Sequence, residues 1–365
     1  MFRVLIAVLF VVTSACASNG DSNPFQVKAL AEFDEPWAMA FLPDGRLLIT
    51  EKRGRVLVVS ADDGSAIPVS GVPTVDYGGQ GGLGDIALHP DFANNSRIYL
   101  SYVEAGDDDT RGAVVVSATL SLEAGNEALT DVDAIWHQSP KVKGRGHYGH
   151  RLLFSEEGYL FISSGERQKF DPAQEMSGNL GKILRLNDDG SVPQDNPFAE
   201  RGGITAQIWS LGHRNPLGLA FDAEGQLWNI EMGPRGGDEL NRVLPGTNYG
   251  YPIVSNGRHY SGIDIPDHDT RPEFEAPKVW WTPVISPGDF MIYSGDKFPN
   301  WKDDGFIAGL SSEALVRIEF DGENAREAER FPMGKSIRAV KQGPAGAIWL
   351  LEDEAGGRLL KLTPR

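Results

Sequence analysis

The sequence has a single cysteine, Cys16, so internal disulfide bonds and zinc sites built on cysteine pairs are both excluded. Beyond the N-terminal region it has no apolar run near the roughly 20 residues that a membrane-spanning helix needs. Long amphipathic helices are missing as well, and the short segment Ala325–Arg330 is the best helical candidate. An all-α fold and a disulfide-stapled fold are therefore not expected.

Positive charge is also scarce, because 34 Lys and Arg face 51 Asp and Glu, for a formal net charge of −17. A duplex-binding protein needs a basic stripe, and none is visible, so nucleic acid is not an expected partner. Adhesion to anionic lipid is disfavoured for the same reason. The 43 glycines and 23 prolines, in contrast, are numerous and spread along the chain. Such a composition is typical of many tight turns between short strands.

The N-terminal residues 1–17 are predicted to be a signal peptide, with Arg3 before the apolar run Val4–Val12. We therefore expect export, to the periplasm of a bacterium. Two processing routes stay open: cleavage at an A-x-A-like site, or a lipobox that ends before Cys16 and gives a lipid anchor through that residue. Residues 18–30 are predicted to be a linker, and residues 31–365 a single domain.

One pattern recurs six times: a turn with glycine or acidic residues precedes a short apolar strand. The predicted strands are Arg46–Thr50, Arg97–Tyr102, Tyr159–Ser163, Gln226–Ile230, Phe306–Leu310 and Ala347–Leu351. Repeats of about 40 to 80 residues predict an all-β, six-bladed β-propeller with four-stranded antiparallel blades and an axial active site. A pair of β-sandwiches is the alternative. In a propeller, loops from every blade meet at the mouth of the axis, so functional residues are expected there.

The loop Gly79–Gly84 matches the dinucleotide-binding pattern G-x-G-x-x-G. That fold also requires a helix after the loop, whereas the residues that follow predict a strand broken by Pro90. The nicotinamide interpretation is therefore rejected. The loop is either simply flexible or a means of bringing Gln80 to a ligand.

Glycines surround His147, and they permit close approach of backbone and ligand. Histidine is the commonest general base near neutral pH, so His147 is a candidate base, with a surface or core histidine as the alternative. His150 lies on a different side if the segment is extended. Further along, Arg214 and Asn215 precede a proline that keeps them in an extended loop. Arginine recognises planar oxyanions, although a structural salt bridge is the alternative.

The segment Glu231–Glu239 is rich in oxygen donors and in residues that bend the backbone. Calcium binds carboxylate and carbonyl oxygens in loose geometry, so this loop is a calcium candidate, with a solvated acidic loop as the alternative. It lacks the ligand spacing of an EF-hand. Zinc is disfavoured, because there is neither a cysteine pair nor a helical pair of histidines.

Taken in order, these loops resemble the soluble-type PQQ-dependent aldose sugar dehydrogenases, the family related to soluble glucose dehydrogenase, where PQQ is pyrroloquinoline quinone. The resemblance extends from Pro36 to Leu360. The segments that carry it are Gly79–Asp91, His147–Leu152, Ala173–Leu186, Leu211–Phe221, Gly233–Asn241 and Asn248–Pro252. The family is a six-bladed propeller, which agrees with the repeat count.

The resemblance implies a role for each matching residue. His147 would take the proton of the anomeric hydroxyl, and a hydride would pass from the anomeric carbon to the C5 carbonyl carbon of PQQ. Arg214 would hydrogen-bond the quinone oxygen where negative charge develops, with Asn215 beside it. Gln80 would contact cofactor or sugar, and Arg338 would bind the cofactor. The product would be a lactone, with electrons leaving for an external acceptor such as a cytochrome or a quinone.

The resemblance also implies calcium. Gly233 and Pro234 would lend main-chain carbonyls to an ion that binds PQQ and polarises it as a Lewis acid. Glu239 and Tyr249 match positions associated with a further calcium site. Met232 stands where a histidine is commoner.

Two usually basic positions depart from the family pattern, since Ser311 replaces a lysine and Ser336 replaces the first of two arginines. PQQ is a tricarboxylate, so losing two cationic partners should weaken its binding by roughly a few kcal/mol unless other residues compensate. Lys335 and Arg235 are the candidates for compensation. Two other functions stay open: a calcium-dependent lactonase or related hydrolase, and a non-catalytic propeller that binds carbohydrate or protein.

Overall fold

A computed structural model describes residues 23–365 of the chain, so the predicted signal peptide and Cys16 lie outside the described residues. The 24 strands of this part form six four-stranded antiparallel sheets, each a blade of a propeller. The prediction of an all-β six-bladed propeller is therefore confirmed. The alternative of two β-sandwiches is wrong, because the sheets follow one another around a single ring.

Blades 1 to 3 each contain four strands that are consecutive along the chain. Blade 1 consists of β2 (Pro36–Phe41), β3 (Leu47–Glu51), β4 (Arg55–Val59) and β5 (Ala66–Val69). Blade 2 consists of β6 (Leu83–Leu88), β7 (Arg97–Ala105), β8 (Arg111–Ser121) and β9 (Ala128–His137). Blade 3 consists of β10 (Gly149–Phe154), β11 (Leu160–Ser164), β12 (Lys182–Leu186) and β13 (Ile208–Leu211).

Blades 4 and 5 follow the same scheme, whereas blade 6 takes one strand from the start of the chain. Blade 4 consists of β14 (Pro216–Phe221), β15 (Leu227–Glu231), β16 (Asp238–Arg242) and β17 (Val279–Trp281). Blade 5 consists of β18 (Pro287–Ile292), β19 (Gly305–Gly309), β20 (Ala314–Asp321) and β21 (Asn324–Pro332). Blade 6 consists of β22 (Ile337–Gln342), β23 (Ile348–Glu352), β24 (Ala355–Pro364) and β1 (Phe25–Asp34).

Helix is confined to short segments between strands in the described part of the chain. There is one α-helical turn, α1 (Phe92–Asn95). The 3₁₀ segments are Asp107–Asp109, Asp171–Ala173, Ala199–Arg201, Gly203–Gln207, His268–Thr270 and Pro299–Trp301. No helix within residues 23–365 has the length and the apolar character that are needed to cross a membrane.

Each of the six predicted strands is the second strand of a blade: β3, β7, β11, β15, β19 and β23. These strands read clearly in the sequence because they are central in their sheets and almost wholly buried, as in Leu47–Glu51 and Ile348–Glu352. The first strands of consecutive blades contact one another around the axis. Apolar side chains fill the space between neighbouring blades, as where Leu48 of blade 1 and Ile98 of blade 2 share one cluster.

The predicted linker over residues 18–30 is wrong for residues 25–30, which belong to β1. This strand pairs antiparallel with β24 and so closes the ring, joining the start of the chain to its end. Its sequence signal is weak because the strand is the outermost of its blade. Only Phe25 and Phe33 are buried among its apolar side chains, so the alternation expected of a half-buried strand is blurred.

The helical candidate Ala325–Arg330 is wrong as well, because these residues lie in β21. The strand pairs with β20 at the outer edge of blade 5. Its charged side chains make ion pairs, including Arg330 with Glu327 at 2.8 Å and Arg317 of β20 with Glu329 at 2.9 Å. Sheet pairing and cross-strand ion pairs outweigh the helix propensity of so short a segment.

A buried arginine ties several blades together at the axis. Arg151, 2% exposed, donates to the carbonyl oxygens of Leu217 at 2.8 Å and Gly288 at 2.5 Å. Its guanidinium lies 3.2 Å from the carboxylate of Asp85 and 3.9 Å from the ring centroid of Trp37. These partners belong to blades 4, 5, 2 and 1, so one side chain of blade 3 fixes the centre of the ring.

Candidate active site

Two neighbouring cavities lie where loops of several blades meet at one end of the axis. The axial cavity, of about 200 Å³, takes lining residues from all six blades, from Trp37 of blade 1 to Arg338 of blade 6. The His147 pocket, of about 220 Å³, is lined by His147, Glu166 and Arg214, among others. Consecutive residues join the two, since Arg214 lines the pocket and Asn215 lines the axial cavity.

His147 is held in one orientation before β10. Its backbone N–H donates to Oε1 of Gln80 at 2.7 Å, and its Nδ1 lies 2.5 Å from Oε1 of Glu166. The ring is 6% exposed, and its φ of 50° lies in the left-handed region. Because Nδ1–H donates to the carboxylate, Nε2 is the nitrogen that keeps its lone pair. Burial lowers the pKa of His147, the hydrogen bond to Glu166 opposes this, and the nearby charge of Arg214 lowers it further.

Glu166 was missed by the sequence analysis. It follows β11 and is fully buried, and its Oε2 accepts the backbone N–H groups of Lys169 at 2.5 Å and Phe170 at 2.7 Å. Burial alone would raise the pKa of Glu166, but its hydrogen bonds and the charge of His147 bring the pKa below the usual value. A charged residue just after the buried strand Tyr159–Ser163 was the available signal, and nothing in the sequence connected it to His147.

Arg167 fixes the loop that carries His147. Its guanidinium donates to the carbonyl oxygens of Gly146 at 2.9 Å, Gly144 at 2.6 Å and Arg111 at 2.7 Å. The guanidinium also stacks on the ring of Tyr148, 3.8 Å from its centroid. The loop is therefore supported on both sides of the histidine.

His150 lies three residues after His147 in the chain, and its surroundings differ from those of His147. It lines the axial cavity, stacks on Trp37 at 5.0 Å and places Nδ1 2.9 Å from Oγ of Ser101. The two histidines line different cavities, but the segment is not extended as the alternation argument assumed, because φ is 50° at His147 and 56° at His150. Full burial lowers the pKa of His150 to about 3, so its ring stays neutral.

Arg214 is 5% exposed and donates through Nη1 to the carbonyl oxygens of Met232 at 2.9 Å and Gly233 at 2.5 Å. Its backbone N–H donates to Oε2 of Glu231 at 2.6 Å. Within residues 23–365 its buried Nε has no hydrogen-bond partner. An orphaned buried donor on a guanidinium beside a pocket fits an oxygen atom of a ligand.

Asn215 and Gln80 both line the axial cavity. Oδ1 of Asn215 accepts the backbone N–H of Gly149 at 3.1 Å. Nδ2 of Asn215 lies 4.0 Å from Sδ of Met232, a soft partner that leaves an amide donor free for a better acceptor. Gln80 is exposed toward the cavity while its carbonyl oxygen holds the backbone of His147.

The glycine-rich loop before β6 is followed by strand and not by helix, which confirms that it is no dinucleotide-binding turn. Its glycines allow close backbone approach. A Cβ on Gly82, whose φ is +140°, would lie 2.1 Å from the carbonyl oxygen of Lys52, and one on Gly79 would lie 2.6 Å from that of Arg145. The loop is thereby pressed between blade 1 and the loop that precedes His147.

Arg338 lines the axial cavity and forms a two-point ion pair with Asp353, with distances of 2.9 Å and 3.1 Å. The two serines at usually basic positions bond to the backbone: the hydroxyl of Ser311 donates to Val284 O and that of Ser336 to Leu310 O. Neither of the candidates for compensation reaches this cavity. Lys335 is exposed, and Arg235 lines a separate outer groove of about 1010 Å³.

The turn after β15 presents the carbonyl groups expected to bind calcium. The carbonyl oxygen of Gly233 already faces a cation, the guanidinium of Arg214, and Pro234 lines the His147 pocket. The turn is held by Asp238, which accepts N–H groups of Gly233, Ile285 and Ser286 at 2.7 to 2.8 Å. Burial raises the pKa of Asp238 to about 6. A carbonyl oxygen oriented toward positive charge fits a calcium ligand.

Glu239 and Tyr249, the other residues expected at calcium, are both buried. Burial and repulsion from Glu231 and Asp238 raise the pKa of Glu239 well above its usual range. The carbonyl oxygen of Tyr249 lies 3.1 Å from Nε2 of His268. A cation would relieve this concentration of buried negative charge, so these residues fit one. Among residues 23–365, however, no cluster of three or more His, Cys, Asp or Glu could hold a metal by side chains alone, so carbonyl oxygens would have to complete the shell.

Comparison with known proteins agrees with this geometry. The family model described as Glucose / Sorbosone dehydrogenase matches residues 33–361. The aldose sugar dehydrogenase YliI of Escherichia coli (strain K12) is 41% identical over 340 residues, which cover 92% of this chain and 91% of that protein. Quinoprotein glucose dehydrogenase B of Acinetobacter calcoaceticus is 31% identical over 446 residues, covering 97% of this chain and 92% of that protein.

Two solved structures show the same fold. The soluble aldose sugar dehydrogenase of Escherichia coli in the apo-form has a TM-score of 0.88 and 40% identity, covering 93% of this chain and 100% of that one. The PQQ-bound form of aldose sugar dehydrogenase from Streptomyces coelicolor has a TM-score of 0.76 and 28% identity, covering 93% and 98%. The resemblance seen in the loops is confirmed, and the chain belongs to the Glucose / Sorbosone dehydrogenase family of oxidoreductases.

Proposed function

We propose that this protein oxidises aldose sugars at the anomeric carbon to lactones, with PQQ and calcium as cofactors and His147 as the general base. The observation that carries the proposal is the pairing of His147 Nδ1 with buried Glu166 beside Arg214. A buried base next to a buried cation in a concave pocket is suited to removing a proton where negative charge develops. The family supports oxidation over hydrolysis or simple binding.

The base step rests on the state of His147. Because its pKa is lowered, the imidazole is neutral at pH 7 and Nε2 can accept the anomeric hydroxyl proton. Once protonated, the ring is stabilised by the carboxylate of Glu166, which is already in place at 2.5 Å. The aldose loses this proton from the anomeric hydroxyl group and a hydride from the anomeric carbon, and the lactone results.

Arg214 and Asn215 would supply donors at the site of developing negative charge. The orphaned Nε of Arg214 and the weakly partnered amide of Asn215 are both directed by the loop before β14. Preorganised donors in a dry site stabilise charge without further rearrangement. When bound, PQQ supplies the hydride acceptor and calcium the Lewis acid beside it. Gln80 and Arg338 would help hold the cofactor.

The metal ligands proposed are the carbonyl groups of Gly233 and Pro234 for the calcium at the cofactor. Glu239 and Tyr249 are proposed for a further calcium. The support is the orientation of the Gly233 carbonyl toward a cation and the raised pKa of the buried Glu239 carboxyl. Both observations concern these residues themselves and do not depend on the family.

The proposal includes the setting of the reaction. We propose export to the periplasm, with Cys16 as an optional lipid attachment point, and transfer of electrons from the enzyme to an external acceptor. The sequence of residues 1–17 supports export. The net charge of −17 argues against a nucleic-acid partner.

Titration of the purified apo-protein with PQQ and calcium, followed by a panel of aldoses with a dye acceptor, tests the proposal. We expect tight PQQ binding, visible as a change in cofactor absorbance, and dye reduction with at least one aldose. His147→Ala should bind PQQ with nearly unchanged affinity and lose turnover by about 10²-fold or more. Absence of both PQQ binding and dye reduction in the parent protein would disprove the dehydrogenase function.

A further inference from the structure

The axial cavity is a cationic region in an acidic protein. Its lining residues include Lys52 and Arg338 but no Asp or Glu, although the chain carries a net charge of −17. The imidazole of His150, which also lines the cavity, stays neutral because burial lowers its pKa to about 3. Asp353 pairs with Arg338 from outside the lining, so the cavity wall itself presents two cations and no carboxylate, which favours an anionic ligand.

Lys52 is delivered to this cavity by a rigid backbone. It follows directly after β3, its N–H donates to the carbonyl of Glu35 at 3.0 Å, and its carbonyl accepts the N–H of Leu83 at 2.8 Å. Gly82 packs so closely that any side chain there would meet the Lys52 backbone at 2.1 Å. The position of Lys52 is therefore fixed by blades 1 and 2 together.

The charge of Lys52 is only partly compensated. Its ammonium lies 3.6 Å from Oε1 of Glu35, beyond normal hydrogen-bond length. The same carboxylate is shared with Arg53 at 3.4 Å and accepts the hydroxyl of Tyr77 at 2.5 Å. Arg53 also pairs with Asp34 at 3.1 Å, so two carboxylates serve these two cations, and the one that Lys52 approaches also accepts the phenol. Lys52, whose side chain is 21% exposed, keeps ammonium donors for a ligand.

Neither of the two candidates for compensation fills the place of the two serines. The hydroxyl groups of Ser311 and Ser336 donate hydrogen bonds to backbone carbonyl oxygens. Lys335 is exposed, and Arg235 lines the outer groove. Lys52 stands in the same cavity as Gln80, Asn215 and Arg338, the residues already proposed to hold PQQ.

We propose that Lys52 is a cofactor-binding residue that pairs with a carboxylate of PQQ, in company with Arg338, and so compensates for the serines at positions 311 and 336. The inference rests on the proposed function, because it concerns the same cofactor. Lys52 of blade 1 would supply a cation in place of those missing at Ser311 and Ser336, and the cofactor's negative charge would lie between Lys52 and Arg338.

The test measures equilibrium binding of PQQ to apo-protein with calcium present, by quenching of tryptophan fluorescence, so that turnover is not needed. Lys52→Met should raise the Kd at least tenfold, because a charge-assisted pair is lost while the side-chain volume is kept. Lys52→Arg should stay within about threefold of the parent. The exposed Lys335→Met is the matched control and should leave the Kd unchanged. Thermal melts of each variant establish that the fold is intact.

A second ligand separates charge from shape. PQQ trimethyl ester has no carboxylate charge, so the parent and Lys52→Met should bind it with affinities within twofold of each other. The inference is overturned if Lys52→Met binds PQQ within twofold of the parent, or if it weakens PQQ and the ester equally. In both cases a parent protein that binds PQQ leaves the proposed function standing. A parent that fails to bind PQQ at all disproves the proposed function and the inference with it.

Discussion

At the scale of residues, the proposed chemistry depends on how a few buried charges are oriented. Glu166 holds one tautomer of His147, and Glu231 holds the backbone of Arg214. Both carboxylates act through hydrogen bonds to a neighbouring residue. Their contribution is to fix which atoms of His147 and Arg214 remain available to a substrate.

Glu166→Gln should lower kcat by about 10² to 10⁴-fold, the range typical of general-base catalysis. The amide cannot stabilise the protonated His147 ring as a carboxylate does. Its NH₂ group can also donate to Nδ1 of His147, which favours the tautomer with the proton on Nε2. The Kd for PQQ should remain within twofold, because Glu166 does not line the axial cavity. The exposed Glu156→Gln, in the same blade, is the control. A purely structural role for Glu166 would instead lower the melting temperature without a selective loss of kcat.

The pH dependence of kcat/KM should show an acidic limb with a midpoint below 6.5. Burial and Arg214 lower the pKa of His147, and a base with a lowered pKa stays deprotonated at neutral pH and loses activity only as pH falls through that pKa. Activity should therefore be higher at pH 7 than at pH 5. A limb centred above 6.5 would show that another group controls the reaction, and solvent viscosity controls separate chemistry from diffusion.

At the scale of elements, every blade offers the same end to the site. The loops before the first strands carry Gln80, His147 and Arg214, while the turns after the second strands carry Lys52 and Glu166. In an antiparallel blade the start of the first strand and the end of the second lie at the same edge of the sheet. A register shift occurs near the start of all six first strands and bends each strand where it meets the axis.

The closure of blade 6 makes a prediction about stability. Phe25 of β1 is fully buried and packs at 5.3 Å from Phe331 and 6.1 Å from Trp301. Phe25→Ala should destabilise the protein by about 3 to 5 kcal/mol through lost burial and a residual cavity. Val27→Ala, in the same strand but 42% exposed, should change stability by less than about 0.5 kcal/mol. Equal urea midpoints for the two variants would show that β1 does not close the ring.

At the scale of the whole molecule, the protein is strongly acidic and also buries several of its carboxyl groups. The chain carries a formal charge of −17, and part of the negative charge is buried in blade 4 at Glu231, Asp238 and Glu239. Buried carboxylates are costly unless a cation or hydrogen bonds offset them. A divalent cation bound there should therefore stabilise the folded protein as a whole.

Calcium should raise the melting temperature of the PQQ-free protein, and a chelator should reverse the shift. At a free calcium concentration of about 100 times the Kd, binding contributes about 2.7 kcal/mol. Glu239→Gln should remove most of this shift, whereas the exposed Glu273→Gln should retain it. A melting temperature that does not respond to calcium in the parent protein would exclude the Glu239–Tyr249 site as a calcium site.

The sequence by itself determined the class of fold and indicated several residues of the candidate site. Central strands such as Leu47–Glu51 are buried on both faces, and tight turns need particular residues, so both leave local signals. His147 and Arg214 also stood out, because glycine and proline mark the loops that hold them. The outer strand Phe25–Asp34 lacked such a signal, since most of its side chains face solvent.

Only the tertiary structure decided which charged residues meet. Glu166 and Lys52 lie just after strands and have other charged residues beside them in the chain, so nothing in the sequence distinguishes them from those neighbours. Closing the ring brings the same edge of six sheets to one axis. Glu166 therefore contacts His147, and Lys52 lines the same cavity as Arg338. Strand formation depends on neighbours along the chain and is visible in sequence, whereas convergence at the axis depends on contacts between blades that are distant in sequence. The serines at 311 and 336 and the lysine at 52 could therefore be related to one another only through the folded protein.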